Sequence, residues 1–75
     1  MNKQSKLLIE TKNHTESVNL INDLHTKFIK THKRASKCDL FSSEWGSKKF
    51  PAYGVTGLIK DNESERDFNL ILELI

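Results

Sequence analysis

Between Thr15 and Lys37 the chain runs for 23 residues without a proline or a glycine. Its apolar residues return there at the period of a helix. At roughly 100° per residue, Val18, Leu20, Ile21, Leu24, Phe28, Ile29 and Ala35 fall on one half of the helix wheel. The last two turns are rich in Lys and Arg and free of acids, which suits the negative end of the helix dipole. Asn13 is placed to cap the start, because its side-chain oxygen can accept from an amide of the first turn, and Glu16 can reach back as in a capping box. The spacing therefore predicts one long amphipathic helix over 15–37.

A helix of this kind needs a partner for its apolar side, and the rest of the chain offers strands. Lys6 to Lys12 reads as a strand in which Leu7 and Ile9 alternate with Leu8 and Glu10. Gly54 to Lys60 reads as a second. Asp61-Asn62-Glu63-Ser64 reads as a turn, and Arg66 to Ile75 as a third strand, with Phe68, Leu70, Leu72 and Leu74 alternating with Asn69, Ile71, Glu73 and Ile75. Residues 38–54, punctuated by Ser42, Ser43, Gly46, Ser47, Pro51 and Gly54, read as a loop with one short strand, anchored by Phe41, Trp45, Phe50 and Tyr53. The expected fold is a single small α+β domain over 1–75, in the order β-α-loop-β-β. A three- to four-stranded, largely antiparallel sheet carries the helix on one face. The terminal strand is too apolar for a bare edge and is expected to pair on both sides, one neighbour being the first strand.

With 75 residues, such a domain buries only about 60% of the surface its unfolded chain exposes, so little stability is in reserve. Cys38 is the only cysteine, so no intramolecular disulfide can reinforce it, and a reducing compartment is expected. The longest apolar runs, Leu7-Leu8-Ile9 and Leu70-Ile71-Leu72, are far short of the roughly 20 residues of a membrane span or of a signal-peptide core. A cytoplasmic location without membrane contact follows by elimination.

Motifs that carry chemistry fail on spacing. His25 and His32 both fall on the apolar side of the helix, about 10.5 Å apart along its axis, too far to share one zinc ion. Cys38 lacks a partner at metal-ligand spacing, and no signature surrounds it that would pair it with His32 as base. The acids Asp61, Glu63, Glu65 and Asp67 do not match a calcium loop, since Arg66 and Leu72 stand where a glycine and a bidentate Glu are required. They read as a solvated turn that keeps a hairpin soluble. Gly54-Val55-Thr56-Gly57 lacks the lysine and helix of a phosphate loop. No catalytic residue, metal or cofactor is expected, and the chain reads as a non-enzyme.

Charge and aromatic residues are distributed more suggestively. Residues 27–49 sum to +5 and residues 50–75 to −3, within a net charge of +2. Lys27, Lys30, Arg34 and Lys37 lie within about 80° of one another on the polar side of the expected helix, with Lys33 flanking. Neither Lys30 nor Arg34 is expected to face the core. Trp45, Lys48, Lys49, Phe50 and Tyr53 interleave aromatics with lysines, the pattern that grips single strands. The leading expectation is a small binding protein that docks an acidic patch of another protein through the basic helix face. In size and composition it resembles small regulators or inhibitors encoded by phages and mobile elements. The alternative is nucleic-acid binding through Lys27, Lys30, Arg34, Lys37, Lys48 and Lys49 on phosphates and Trp45 or Tyr53 on bases. A homodimer is compatible with the apolar residues left over on the terminal strand.

Overall fold

A computed structural model describes residues 4–75. Five elements follow one another: β1 (Gln4–Thr11), α1 (His14–His32), β2 (Asp39–Gly46), β3 (Pro51–Ile59) and α2 (Asn62–Leu72). The strands form one antiparallel sheet in the order β1-β3-β2, with β3 in the centre. Both helices pack on the same face of it, giving a slab only 15 Å deep in its thinnest direction. The class is α+β, but among the described residues the sheet has three strands and there are two helices, not one.

The start of α1 forms as its sequence dictates. Asn13 accepts from the amide of Glu16 at 2.8 Å, and the Glu16 carboxylate turns back to accept from the amide of Lys12 at 3.0 Å. The end differs from expectation. Lys33 adopts a left-handed conformation (φ 61°) and donates its amide to the carbonyl of Ile29, so the helix stops at His32 rather than Lys37. Leu24 and Phe28 are buried, Leu20 and Ile21 half-buried, and Val18, Ile29 and Ala35 exposed. The stripe that faces the sheet is thus narrower than the half-wheel of apolar residues.

The segment expected as a loop holds a hairpin. β2 pairs with β3 from Asp39↔Leu58 to Gly46↔Pro51, and Ser47–Phe50 form the turn. Gly46 closes it at φ 91°, a conformation that L side chains avoid. Ser47 accepts from the amide of Phe50 at 3.0 Å.

The expected terminal strand is instead α2. Asp61 caps it, accepting from the amide of Ser64 at 2.8 Å, while the Ser64 hydroxyl accepts from the amides of Lys60 and Asp61. Ser64, Asp67, Phe68 and Ile71 are buried, an i, i+3, i+4, i+7 pattern, so the capped helix overrides the coincidental alternation of Phe68, Leu70, Leu72 and Leu74. The place expected for this segment beside β1 is taken by β3.

β1 forms where expected, but Leu7 and Ile9 do not share a face. The register slips between Leu7↔Thr56 and Ile9↔Val55, leaving Leu8 as an extra residue in a bulge. Leu8 and Ile9 both join the core side, while Leu7 faces away from it.

The core gathers Leu8, Leu24, Phe28, Cys38, Val55, Ile59, Phe68 and Ile71. Gly57 is the contact plane for α2, since a Cβ there would lie 2.5 Å from the Phe68 ring and 3.0 Å from the Cys38 sulfur. Burying each large side chain contributes about 1.5–3 kcal/mol. Phe28 is at the centre and fully buried, so Phe28→Ala is expected to cost about 3–5 kcal/mol, enough to unfold a domain of this size. Chemical denaturation followed by far-ultraviolet circular dichroism measures it.

Candidate functional site

The cations that were expected to line one helix face are dispersed. Lys33, Arg34 and Lys37 lie beyond the end of α1. Lys27 pairs with Asp23 at 3.1 Å, and Lys37 pairs with Glu63 at 2.8 Å across to α2. Arg34 turns inward, and its two terminal nitrogens donate to the two carboxylate oxygens of Asp67 at 2.9 and 2.8 Å. Its guanidinium also sits 5.2 Å from the centre of the Phe28 ring. Of the four residues, Lys30 alone is exposed and outside an ion pair among the described residues. Among the described residues these cations form no continuous strip, and Arg34 is part of the packing.

Asp67 is therefore not a member of a solvated acidic turn. It is fully buried, and it accepts a third hydrogen bond, at 2.8 Å, from the backbone amide of Lys37. The Arg34 hydrogen bonds hold its carboxyl well below the usual carboxylate range, against the opposing effect of burial. The pair stitches the 33–38 segment to α2, so Arg34 is read as structural.

Cys38 is buried, its thiol directed at the carbonyl of Leu58 at 3.6 Å. Burial pushes the thiol up to about 11, so thiolate is scarce at neutral pH. His25 and His32 are half-buried, and the His32 ring stacks at 4.4 Å on Phe28. Among the described residues, no group of three His, Cys, Asp or Glu side chains is placed to hold a metal ion. No helix among them is long and apolar enough to cross a membrane.

His14, at the first turn of α1, makes contacts that its sequence position does not announce. One ring nitrogen meets the Ser42 hydroxyl, the other lies 3.1 Å from Glu44, and the Tyr53 ring meets it edge-on at 4.8 Å. Serine, histidine and carboxylate in contact can form a nucleophile and base. Here His14 and Glu44 are each about half exposed (51% and 52%). Water competes with such contacts, and their evident work is to tie the start of α1 to β2 and β3.

The remaining unusual surface is the sheet face that carries no helix. Residues paired across antiparallel strands share a face, so Leu7, Thr56 and Phe41 form one row across all three strands. Trp45 beside Ala52, and Ser43 and Glu10 beside Gly54, lie on the same side. Leu7, Phe41 and Trp45 keep 47%, 40% and 40% of their surface exposed. Gly54 is the floor between two of them, because a Cβ there would meet Leu7 at 2.8 Å and the indole of Trp45 at 3.0 Å. Ser43 and Thr56 hydroxyls bond to each other beside this floor. At the hairpin turn Phe50 is 74% exposed, with the Lys49 ammonium 5.7 Å from its ring centre.

The aromatic and basic stretch is thus divided. Trp45, Lys48 and Lys49 belong to the open face and its turn, whereas Tyr53 points to the helix side against His14. Leu7 and Phe41 join the face although neither was a candidate. Their signal was the pairing register, which the sequence alone does not reveal. No family model, curated protein or solved structure matches the chain.

The Asp67 assignment has a measurable consequence. Asp67→Ala leaves the Lys37 amide without its acceptor and Arg34 with only the Ala35 carbonyl, 3.2 Å away, and is expected to cost about 2–3 kcal/mol, less than for a fully buried pair because Arg34 is 37% exposed. A carboxyl depressed in the folded state stabilises above its unfolded value, near 4, and that contribution fades as pH falls toward the folded value. Melting temperature should fall between about pH 5 and pH 2, and less steeply in Asp67→Asn than in the unmodified protein.

Proposed function

We propose that the chain is a small, non-enzymatic binding protein whose contact surface is the open sheet face and the adjoining hairpin turn. The observation that carries this reading is the convergence of Leu7, Phe41 and Trp45 on a face with no helix over it. A chain of 75 residues has little apolar surface to spare. Leaving three large side chains half exposed on one side, beside an exposed Phe50, marks an interaction site more than a packing remainder. Exposed aromatic side chains bordered by charge are enriched at contact surfaces.

The reading moves the expected contact away from α1. The helix retains Lys30 and the ion-paired Lys27, but Arg34 has a competing structural role, which weakens the case for docking through it. The role of regulator or inhibitor is retained as part of the proposal at the level of class: a compact chain that acts by occupying a surface.

Site-specific photo-cross-linking separates the two faces. A photoreactive amino acid is placed at Phe41 on the open face in one variant and at Lys30 on the helix in another. Both are exposed positions, so neither substitution should disturb the core. In extract from the native host, adducts are expected from position 41 and not from position 30. Adducts confined to position 30 would overturn the reading and restore the helix face.

A further inference from the structure

We infer that the occupant of the open sheet face is a single-stranded nucleic acid, with bases on Trp45 and Phe41 and phosphates on the lysines of the hairpin end; this rests on the binding-surface reading above. Three observations favour that chemistry. The exposed apolar groups of the face and turn are mostly planar rings, Phe41, Trp45 and Phe50, with Leu7 and the half-buried Leu58 as the aliphatic ones. Rings stack on unpaired bases regardless of sequence, because every base has a π-face.

The second observation is the spacing. Phe41 and Trp45 lie on the same strand and the same face, four residues apart, so their backbone positions are about 13 Å apart along β2, with the Trp45 indole leaning over Gly54. That separation is several times the roughly 3.4 Å rise of bases stacked on one another. Two bases resting on these rings would be splayed apart, the state available in a single strand and not in a duplex. Between the attachment points of the rings lie the small residues Ala52, Ser43, Gly54 and Thr56, of which Gly54 and Thr56 are buried, Gly54 beneath Leu7 and the Trp45 indole. The half-exposed Ser43 hydroxyl is the group there that can meet a base edge.

The third is charge. Lys48 and Lys49 lie in the hairpin turn next to Trp45, and Lys12 follows the end of β1, which pairs with β3 at Tyr53. All three are exposed and none is in an ion pair among the described residues. Lys27, Lys37 and Lys60 are each held by a carboxylate, while Lys6, Lys30 and Lys33 are exposed and outside the described ion pairs but not beside the rings. Of the acids on this face, Asp39 is at the opposite end and neutralised by Lys60. Glu10, beside Gly54, is the one acid near the rings and sets a limit on affinity. An acidic protein would also meet the lysines, but it would not need two exposed planar rings on the same face.

Trp45 is the only tryptophan, so its emission reports occupancy directly. Titrating the protein with oligothymidylate and oligouridylate should quench it, with a duplex of equal length binding at least tenfold more weakly. The logarithm of affinity should fall with the logarithm of salt with a slope of about −2, as for three phosphate contacts on a single strand. By anisotropy of a labelled oligonucleotide, Trp45→Ala should weaken binding about ten- to a hundredfold, the loss of one stacked base. Lys48→Glu with Lys49→Glu should lower both affinity and the salt slope, and Lys30→Glu should change neither. The paired lysine reversals sit in an exposed turn, so they keep the test decisive if Trp45→Ala does not fold. Equal binding of duplex and single strand, or no quenching by either oligonucleotide, overturns the inference. Cross-linked adducts at position 41 that resist nuclease but not protease would do the same while leaving the binding face in place. Absence of adducts there, with adducts at position 30, would remove both.

Discussion

The carboxylate of Asp67 is the point on which the arrangement of helices depends. A fully buried charge is tolerable only when it is paired and hydrogen-bonded, and here three donors converge on it from the 33–38 segment. That segment carries the chain from the end of α1 back to the start of β2. Fixing it to α2 fixes where β2 begins and which side of the sheet α2 covers. The two helices are coupled mainly through this joint and through the shared strand beneath them, where Gly57 lets the Phe68 ring approach the backbone. Apolar contact gives the slab its cohesion, and the ion pair gives it a single arrangement.

The sequence carried the elements whose signals are local. β1, the Asn13 cap and the buried pair Leu24 and Phe28 are written in alternation, side-chain chemistry and helical period. The end of α1 is not, because a lysine in a left-handed conformation carries no compositional mark, and Arg34 and Lys37 were consequently read as helix residues. Residues 64–75 satisfy two periods at once. Phe68, Leu70, Leu72 and Leu74 alternate, while Ser64, Asp67, Phe68 and Ile71 follow a helix. Asp61 and Ser64, taken as turn residues, are what decide between them, since the same side chains that favour turns also cap helices.

The candidate surface was legible in part for the same reason. Trp45, Lys48 and Lys49 stand close together in the chain, so composition alone draws attention to them. Tyr53 belongs to the same cluster in sequence but lies one strand over with the opposite parity, and the pleat sends it to the other side of the sheet. Leu7 is 38 positions from Trp45 and meets it over Gly54 only because β1 and β2 flank the same central strand. Nothing short of the strand order places them together. Arg34 shows the reverse error, in which an exposed-looking charge has a buried partner 33 residues away.

The bulge at Leu8 makes β1 two half-strands of opposite phase. Before it, Leu7 faces outward. After it, Ile9 and Thr11 face inward, where the Thr11 hydroxyl meets that of Ser17 on α1, and Glu10 faces out. With strict alternation from Leu7 onward, Glu10 would project beneath the helix and Ile9 into solvent. One additional residue thus lets eight consecutive positions serve two surfaces, an aliphatic contribution to the outer face at one end and a clasp on the helix at the other. The length of this strand, counted to the single residue, separates a charge in water from a charge in the core.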